Sequence, residues 1–317
     1  MKAVFLDFAT MGTGLDLKEL ESLVSELVIH EDSPDDTIAA RIADADIVFT
    51  NKIRLTRGLL ERAPKLKLIA LTATGTDNID TNCAREHGIA VANIRHYCTQ
   101  SVVEHVFGAL LSLTHSLGQY QRSVRAGDWQ RSTDFCMLHH PVRELSSMTL
   151  GVVGYGALGQ GVARIGREFG MRTLVAARPG SEEVPVGRVA LYRLLAEADV
   201  ISLHCPLTDA TRNLFGTPEF KAMKRSAILI NTARGGLVDS QALADALAKG
   251  EIGAAAVDVL PNEPPVDGDP LLDYGGDNLL VTPHIAWATD EARQNAIDEL
   301  AANTRAFLEG IERNRVV

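Results

Sequence analysis

The chain has 317 residues, 46% of them hydrophobic and 23% charged, with a net charge of -10. That length suits two domains with separate cores, and the acidic balance argues against nucleic acid or an anionic membrane surface as partner. No apolar run approaches the ~18 residues of a membrane span, and Asp7 follows Met1 too closely for a signal peptide, so the expected location is the cytoplasm.

In chain order, short apolar runs predict strands at 3–6, 47–50, 67–71 and 89–93. Helical spacing predicts helices near 17–27, 38–43 and 82–86. Strands alternating with helices argue for a parallel α/β sheet. One long apolar helix is expected from 101 to about 120. A polar arm follows to 147, with Trp129 and the run Phe135–Leu138 as its large apolar anchors. An arm with so little core of its own is expected to lie across another surface.

A second alternation starts at Leu150, with strands expected at 150–153, 173–177, 200–204, 227–231, 254–259 and 279–282. Helix 240–249 has Asp239 or Ser240 as its cap and Gly250 as its stop. A last amphipathic helix, 290–309, lies beyond the sixth strand and is expected to return to the first domain. The cysteines Cys83, Cys98, Cys136 and Cys205 are widely spaced, which suggests neither a disulfide framework nor a zinc site. The pair His139-His140 has no third ligand in view, so no metal is expected.

The first strand of the second half runs into Gly154-Tyr-Gly156-Ala157-Leu158-Gly159 and then a helix. In that setting Gly154 allows the tight turn, Gly156 lets backbone approach a pyrophosphate, and Gly159 lets helix and strand pack closely. The helix N-terminus offers free N–H groups to the phosphates. Three later strands end in Asn231-Thr232-Ala233-Arg234-Gly-Gly, in Asp258 followed by Glu263, and in Pro283-His284. Open α/β sheets bind ligands at such carboxyl ends.

The chemistry of these residues is mutually consistent. Reducing a ketone leaves negative charge on its oxygen, which needs a proton, and imidazole, the side chain type at His284, is the natural group to give it. A carboxylate on the other ring nitrogen, for which Glu263 is the candidate, would fix the tautomer. Arg234 can fork onto a substrate carboxylate. Each residue also has a plain alternative: a carbonyl cap for Arg234, a solvated loop for Glu263, a satisfied strand end for His284. Their coincidence favours catalysis.

These residues, with Leu71-Thr-Ala-Thr-Gly-Thr-Asp-Asn-Ile-Asp80, Ser101-Val-Val-Glu-His105 and His204-Cys-Pro-Leu-Thr208, make the chain resemble the D-isomer-specific 2-hydroxyacid dehydrogenases nearly end to end. The resemblance is nearest to bacterial glycerate dehydrogenases (hydroxypyruvate reductases). It implies two Rossmann-like parallel-sheet domains. A dinucleotide-binding domain, 101–287, is inserted into a flavodoxin-like substrate domain formed by 1–100 and 288–317, with the substrate expected in the cleft between. It also implies a homodimer using an arm at about 120–147. The implied catalytic set is Arg234, Glu263 and His284. The loop Thr74-Gly75-Thr76, with Arg234 and His284, would hold the substrate. The cofactor would meet the glycine turn (Gly154, Gly156, Ala157, Leu158, Gly159), Ala177 and Arg178, His204-Cys205-Pro206, Thr232, Ala233, Asp258 and His284.

One departure bears on the cofactor. Such domains end their second strand in an acid that holds the adenosine ribose of NAD, and here Ala177 stands at that place with Arg178 after it. Losing the carboxylate removes repulsion against a 2′-phosphate, so NADP is expected over NAD. The expected reaction is reduction of a small 2-oxo acid, hydroxypyruvate or glyoxylate, to the D-2-hydroxy acid. The alternatives are a dehydrogenase for a larger or phosphorylated 2-hydroxy acid, for which Lys52 and Arg54 are candidate phosphate ligands, and a nucleotide-sensing, corepressor-like binding protein.

Overall fold

The computed structural model describes residues 1–181 and 183–317. The chain forms two compact units, Met1–Cys98 with Ala288–Val317 and Thr99–Trp287. Among the described residues no helix is long and apolar enough to cross a membrane.

The first unit is built on a parallel sheet of β1 (Lys2–Phe5), β2 (Glu26–Ile29), β3 (Ile47–Thr50), β4 (Leu68–Leu71) and β5 (Ala90–Ala92), in the order β2-β1-β3-β4-β5. This is a flavodoxin-like order. Its central strands β3 and β4 are buried along their whole length. They read as unbroken apolar runs because both faces are covered. The C-terminal helix Asp290–Leu308 belongs to this unit and is capped by Thr289, whose side chain accepts from Ala292 N. Asn303 Nδ2 donates to the Asn93 carbonyl at 2.8 Å, tying the helix to the end of the sheet.

The structure corrects the sequence reading in this unit. The expected helix over 17–27 is only Lys18–Ser22, and β2 follows it, paired in parallel with β1 from Lys2↔Glu26 to Phe5↔Ile29. Leu17, Leu20, Val24 and Leu27 imitate a helical face. Because β2 is a half-exposed edge strand, its own apolar signal is weak.

The second unit carries β6 (Thr149–Val153), β7 (Arg172–Val175), β8 (Val200–Leu203), β9 (Ile228–Asn231), β10 (Ala254–Val257) and β11 (Leu279–Val281), in the parallel order β11-β10-β9-β8-β6-β7. The order reverses between β6 and β8, the switch point where doubly wound sheets bind ligands. Beyond β7, Ala176 makes a single parallel bridge with Val189, so Val189 stands where a further edge strand would lie. The long helix expected over 101–120 is two helices, Thr99–Thr114 and Leu117–Arg125. Ser116 adopts φ +50° at the break, and its hydroxyl donates to the Pro141 carbonyl at 2.7 Å. The returning arm thus supplies partners that a continuous helix would not need.

Candidate active site

The glycine turn between β6 and the helix Ala157–Glu168 passes a steric test. Gly154 has φ +92°, and a Cβ there would lie 2.4 Å from both Cys205 N and the His204 carbonyl carbon. A Cβ on Gly159 would meet the Gly154 carbonyl oxygen at 2.0 Å, whereas one on Gly156 would meet nothing within 4 Å. Two glycines therefore permit close backbone packing, and the third faces open space at the N-terminus of a twelve-residue helix. That combination suits a pyrophosphate against helix amides. Thr232 Oγ1 near the end of β9 is buried without a hydrogen-bond partner among the described residues, a further polar group available to a ligand. These residues fit a bound dinucleotide.

Next to β6, the end of β8 carries His204-Cys205-Pro206. The His204 ring donates to or accepts from Ser202 Oγ at 2.9 Å through Nε2, while buried Nδ1 has no partner among the described residues. Burial without a counter-charge pushes its pKa down to about 4. The unfolded chain binds that proton near pH 6.5, so stability is complete above 6.5 and falls as the pH drops toward 4. The expected cost over that window is about 3 kcal/mol. Urea unfolding at pH 7 and pH 5 should show about 2 kcal/mol of the loss, and His204→Gln should make the difference smaller. An unchanged difference would mean that other groups carry the acid sensitivity.

The three candidate catalytic residues follow adjacent strands. Asn231, fully buried at the end of β9, shapes the first turn: its Oδ1 accepts from Ala233 N at 3.1 Å and its Nδ2 donates to the Arg234 carbonyl at 2.9 Å. Arg234 donates from Nη1 to the Ala233 carbonyl at 2.8 Å. That is one bond of the capping kind. Nε and Nη2 have no hydrogen-bond partner among the described residues.

After β10, Glu263 accepts from Leu260 N through Oε1 at 2.8 Å, which closes the loop on itself. Its other oxygen, Oε2, lies 2.6 Å from His284 Nδ1. With Nδ1–H held by the carboxylate, Nε2 is the ring nitrogen left to exchange a proton. Both side chains are about one-third exposed, 29% for His284 and 34% for Glu263. Solvent or substrate can therefore reach them.

His284 itself sits at φ +57°, a region few non-glycine residues adopt. Asp258, only 2% exposed, explains how it is held. Its carboxylate accepts from Ile285 N at 2.9 Å, Ala286 N at 2.9 Å and Thr282 Oγ1 at 2.5 Å, and its carbonyl accepts from His284 N at 2.8 Å. His105 Nε2 approaches the same Thr282 hydroxyl at 3.2 Å. Beside the cofactor role expected for Asp258, its carboxylate shapes the loop that presents His284. Asn231, Thr282 and His105 join this network without belonging to the expected site set. The one available signal was a polar residue closing an apolar strand, as in Ile-Leu-Ile-Asn231.

In the first unit the loop Thr74–Thr76 follows β4. Thr74 donates its hydroxyl to the Ile94 carbonyl at 2.9 Å, and its own carbonyl accepts from Asn93 Nδ2 at 2.7 Å.

The sequence signature of the D-isomer specific 2-hydroxyacid dehydrogenase NAD binding domain matches residues 107–286. The chain belongs to that dehydrogenase family. It is 46% identical over 279 residues to a glycerate dehydrogenase of Methylorubrum extorquens, covering 88% of each chain. It is 38% identical to a hydroxypyruvate reductase of Blautia hydrogenotrophica, covering 98% of each. Among solved structures it resembles an acyclic imino acid reductase in complex with NADPH and D-arginine, at TM-score 0.86, 27% identity and 100% of both chains. As a D-isomer-specific 2-hydroxyacid dehydrogenase, the protein is a nicotinamide-dependent oxidoreductase that reduces 2-oxo acids.

Proposed function

We propose that this dehydrogenase reduces small 2-oxo acids, hydroxypyruvate and glyoxylate foremost, with His284 as the acid, Glu263 as its partner and Arg234 as the substrate clamp. The observation that carries the reading is the 2.6 Å contact between Glu263 Oε2 and His284 Nδ1. A reduced nicotinamide, when bound, supplies the hydride. His284 Nε2 gives a proton to the carbonyl oxygen, and Glu263 fixes the ring's orientation through Nδ1. Arg234 pairs with the substrate carboxylate and polarises the adjacent carbonyl. Thr74, Gly75 and Thr76 are further candidate substrate residues, while Thr232, Ala233 and Asp258 line the nicotinamide side and the glycine turn cradles the pyrophosphate. The preference for small acids rests on similarity to the glycerate dehydrogenase and hydroxypyruvate reductase.

NADP is the preferred cofactor in this reading, because Ala177 at the end of β7 has no charge to repel a 2′-phosphate and exposed Arg178 follows it. A second copy of the chain is the proposed cover for the arm. On it Phe135 is 90% and Leu138 83% exposed, more apolar surface than an isolated arm keeps in water.

A panel of 2-oxo acids with each reduced cofactor, followed at 340 nm, tests the function. The expected result is highest kcat/KM with hydroxypyruvate or glyoxylate and NADPH, with Ala177→Asp reversing the cofactor order. Equal or better kcat/KM with NADH in the unaltered enzyme would sink the NADP reading, and no turnover of any 2-oxo acid would sink the enzymatic one.

A further inference from the structure

Arg188 lies outside every motif in the sequence, yet two contacts tie it to the adenosine end of the cofactor site. Its guanidinium carbon stands 4.4 Å from the centroid of the Tyr155 ring, and Tyr155 is the residue between Gly154 and Gly156. Its neighbour Val189 is bonded to the edge of the sheet on both sides: Val189 N donates to the Val175 carbonyl at 2.9 Å, and Ala177 N donates to the Val189 carbonyl at 2.8 Å. Arg188 is thereby fixed between the glycine turn and Ala177.

We infer that Arg188 is a second guanidinium of a 2′-phosphate subsite, acting with Arg178 to select NADP; this rests on the NADP reading of Ala177. A guanidinium placed over an aromatic ring is held by cation–π attraction without using up its N–H donors. Phosphate takes such a donor pair in a bidentate, charge-assisted arrangement. The charge around this corner agrees. Arg172 and Arg193 both pair with the one carboxylate of Glu197, at 2.6 Å each. Arg178 and Arg188 form no ion pair among the described residues. The strand end that would bear an acid in an NAD enzyme therefore lies between two arginines. Arg178 is exposed on a loop, whereas Arg188 is half-buried and held by its ring stack.

The test compares adenosine 2′,5′-bisphosphate with adenosine 5′-monophosphate, which differ only in the 2′-phosphate. Both are titrated calorimetrically into the unaltered enzyme, Arg188→Ala, Arg188→Gln and Arg178→Ala. The unaltered enzyme is expected to prefer the bisphosphate. Both Arg188 variants should cut that preference roughly tenfold, the worth of one charge-assisted bond, and should retain monophosphate binding. The NADPH-to-NADH ratio of kcat/KM should fall in parallel. If the unaltered enzyme shows no preference, the reading of Ala177 falls and this inference with it. If the preference is present and Arg178→Ala removes it while both Arg188 variants keep it, the inference alone is overturned. Equal loss of both nucleotides in the Arg188 variants would also overturn it, by assigning Arg188 a structural role.

Discussion

Replacing His284 with alanine is expected to lower kcat by roughly 10²–10⁴-fold, the usual worth of a positioned general acid, with binding of the reduced cofactor largely kept. The imidazole is fixed by a 2.6 Å contact to Glu263 and by a loop whose amides are gathered on Asp258. Its removal therefore takes away the proton donor without disturbing the glycine turn. Alanine has a second effect, however. The backbone at His284 is at φ +57°, and a left-handed alanine costs about 1–2 kcal/mol, so part of any loss could come from a relaxed loop. Asparagine tolerates that region. His284→Asn should match the alanine variant in kcat while unfolding closer to the unaltered enzyme. Steady-state kinetics, nicotinamide fluorescence titration and thermal unfolding measure turnover, cofactor binding and stability in turn. Near-normal turnover in both variants would remove His284 from the chemistry.

The parts of this site that could be read from sequence were those in which local chemistry and position coincide. Short runs such as Ile47–Thr50 and Val200–Leu203 announce parallel strands because both of their faces are buried. The glycine turn announces itself because its three glycines do three jobs at a strand-to-helix junction. Arg234, Glu263 and His284 were visible because they close consecutive strands. What escaped notice depends on tertiary partners. Edge strand β2 gains its conformation from pairing with β1, and its leucine spacing suggested a helix. Asp258 reads from sequence only as a cofactor residue, and its hold on the amides of Ile285 and Ala286 depends on a loop 27 and 28 residues further along the chain. Arg188 carries no signal at all in its own neighbourhood, since its meaning comes from Tyr155 and Val189's pairing beside Ala177.

Gly235→Ala is expected to lower kcat/KM by about 10²-fold, whereas Gly236→Ala, one residue on, should stay within about threefold; misplacing catalytic groups by about 1 Å suffices for the larger loss. The sequence marks both residues only as a turn. In the structure a Cβ on Gly235 would lie 2.0 Å from the Leu260 carbonyl carbon, 2.2 Å from its oxygen and 2.3 Å from Pro261 N. All three are backbone atoms, so one of the two segments must move. On one side is Arg234, adjacent in sequence. On the other is Leu260, whose N–H holds Glu263 Oε1 at 2.8 Å, and through Glu263 the shift reaches His284. A Cβ on Gly236 meets instead the Leu207 side-chain methyls at 2.9 and 3.3 Å, which a rotamer change can relieve at a cost of order 1 kcal/mol. Both variants should keep nucleotide affinity, because neither contact reaches the turn at Gly154. Kinetics and calorimetry on the pair would decide the matter. Equal losses in the two variants would mean that the close approach at Leu260 does not align the catalytic residues.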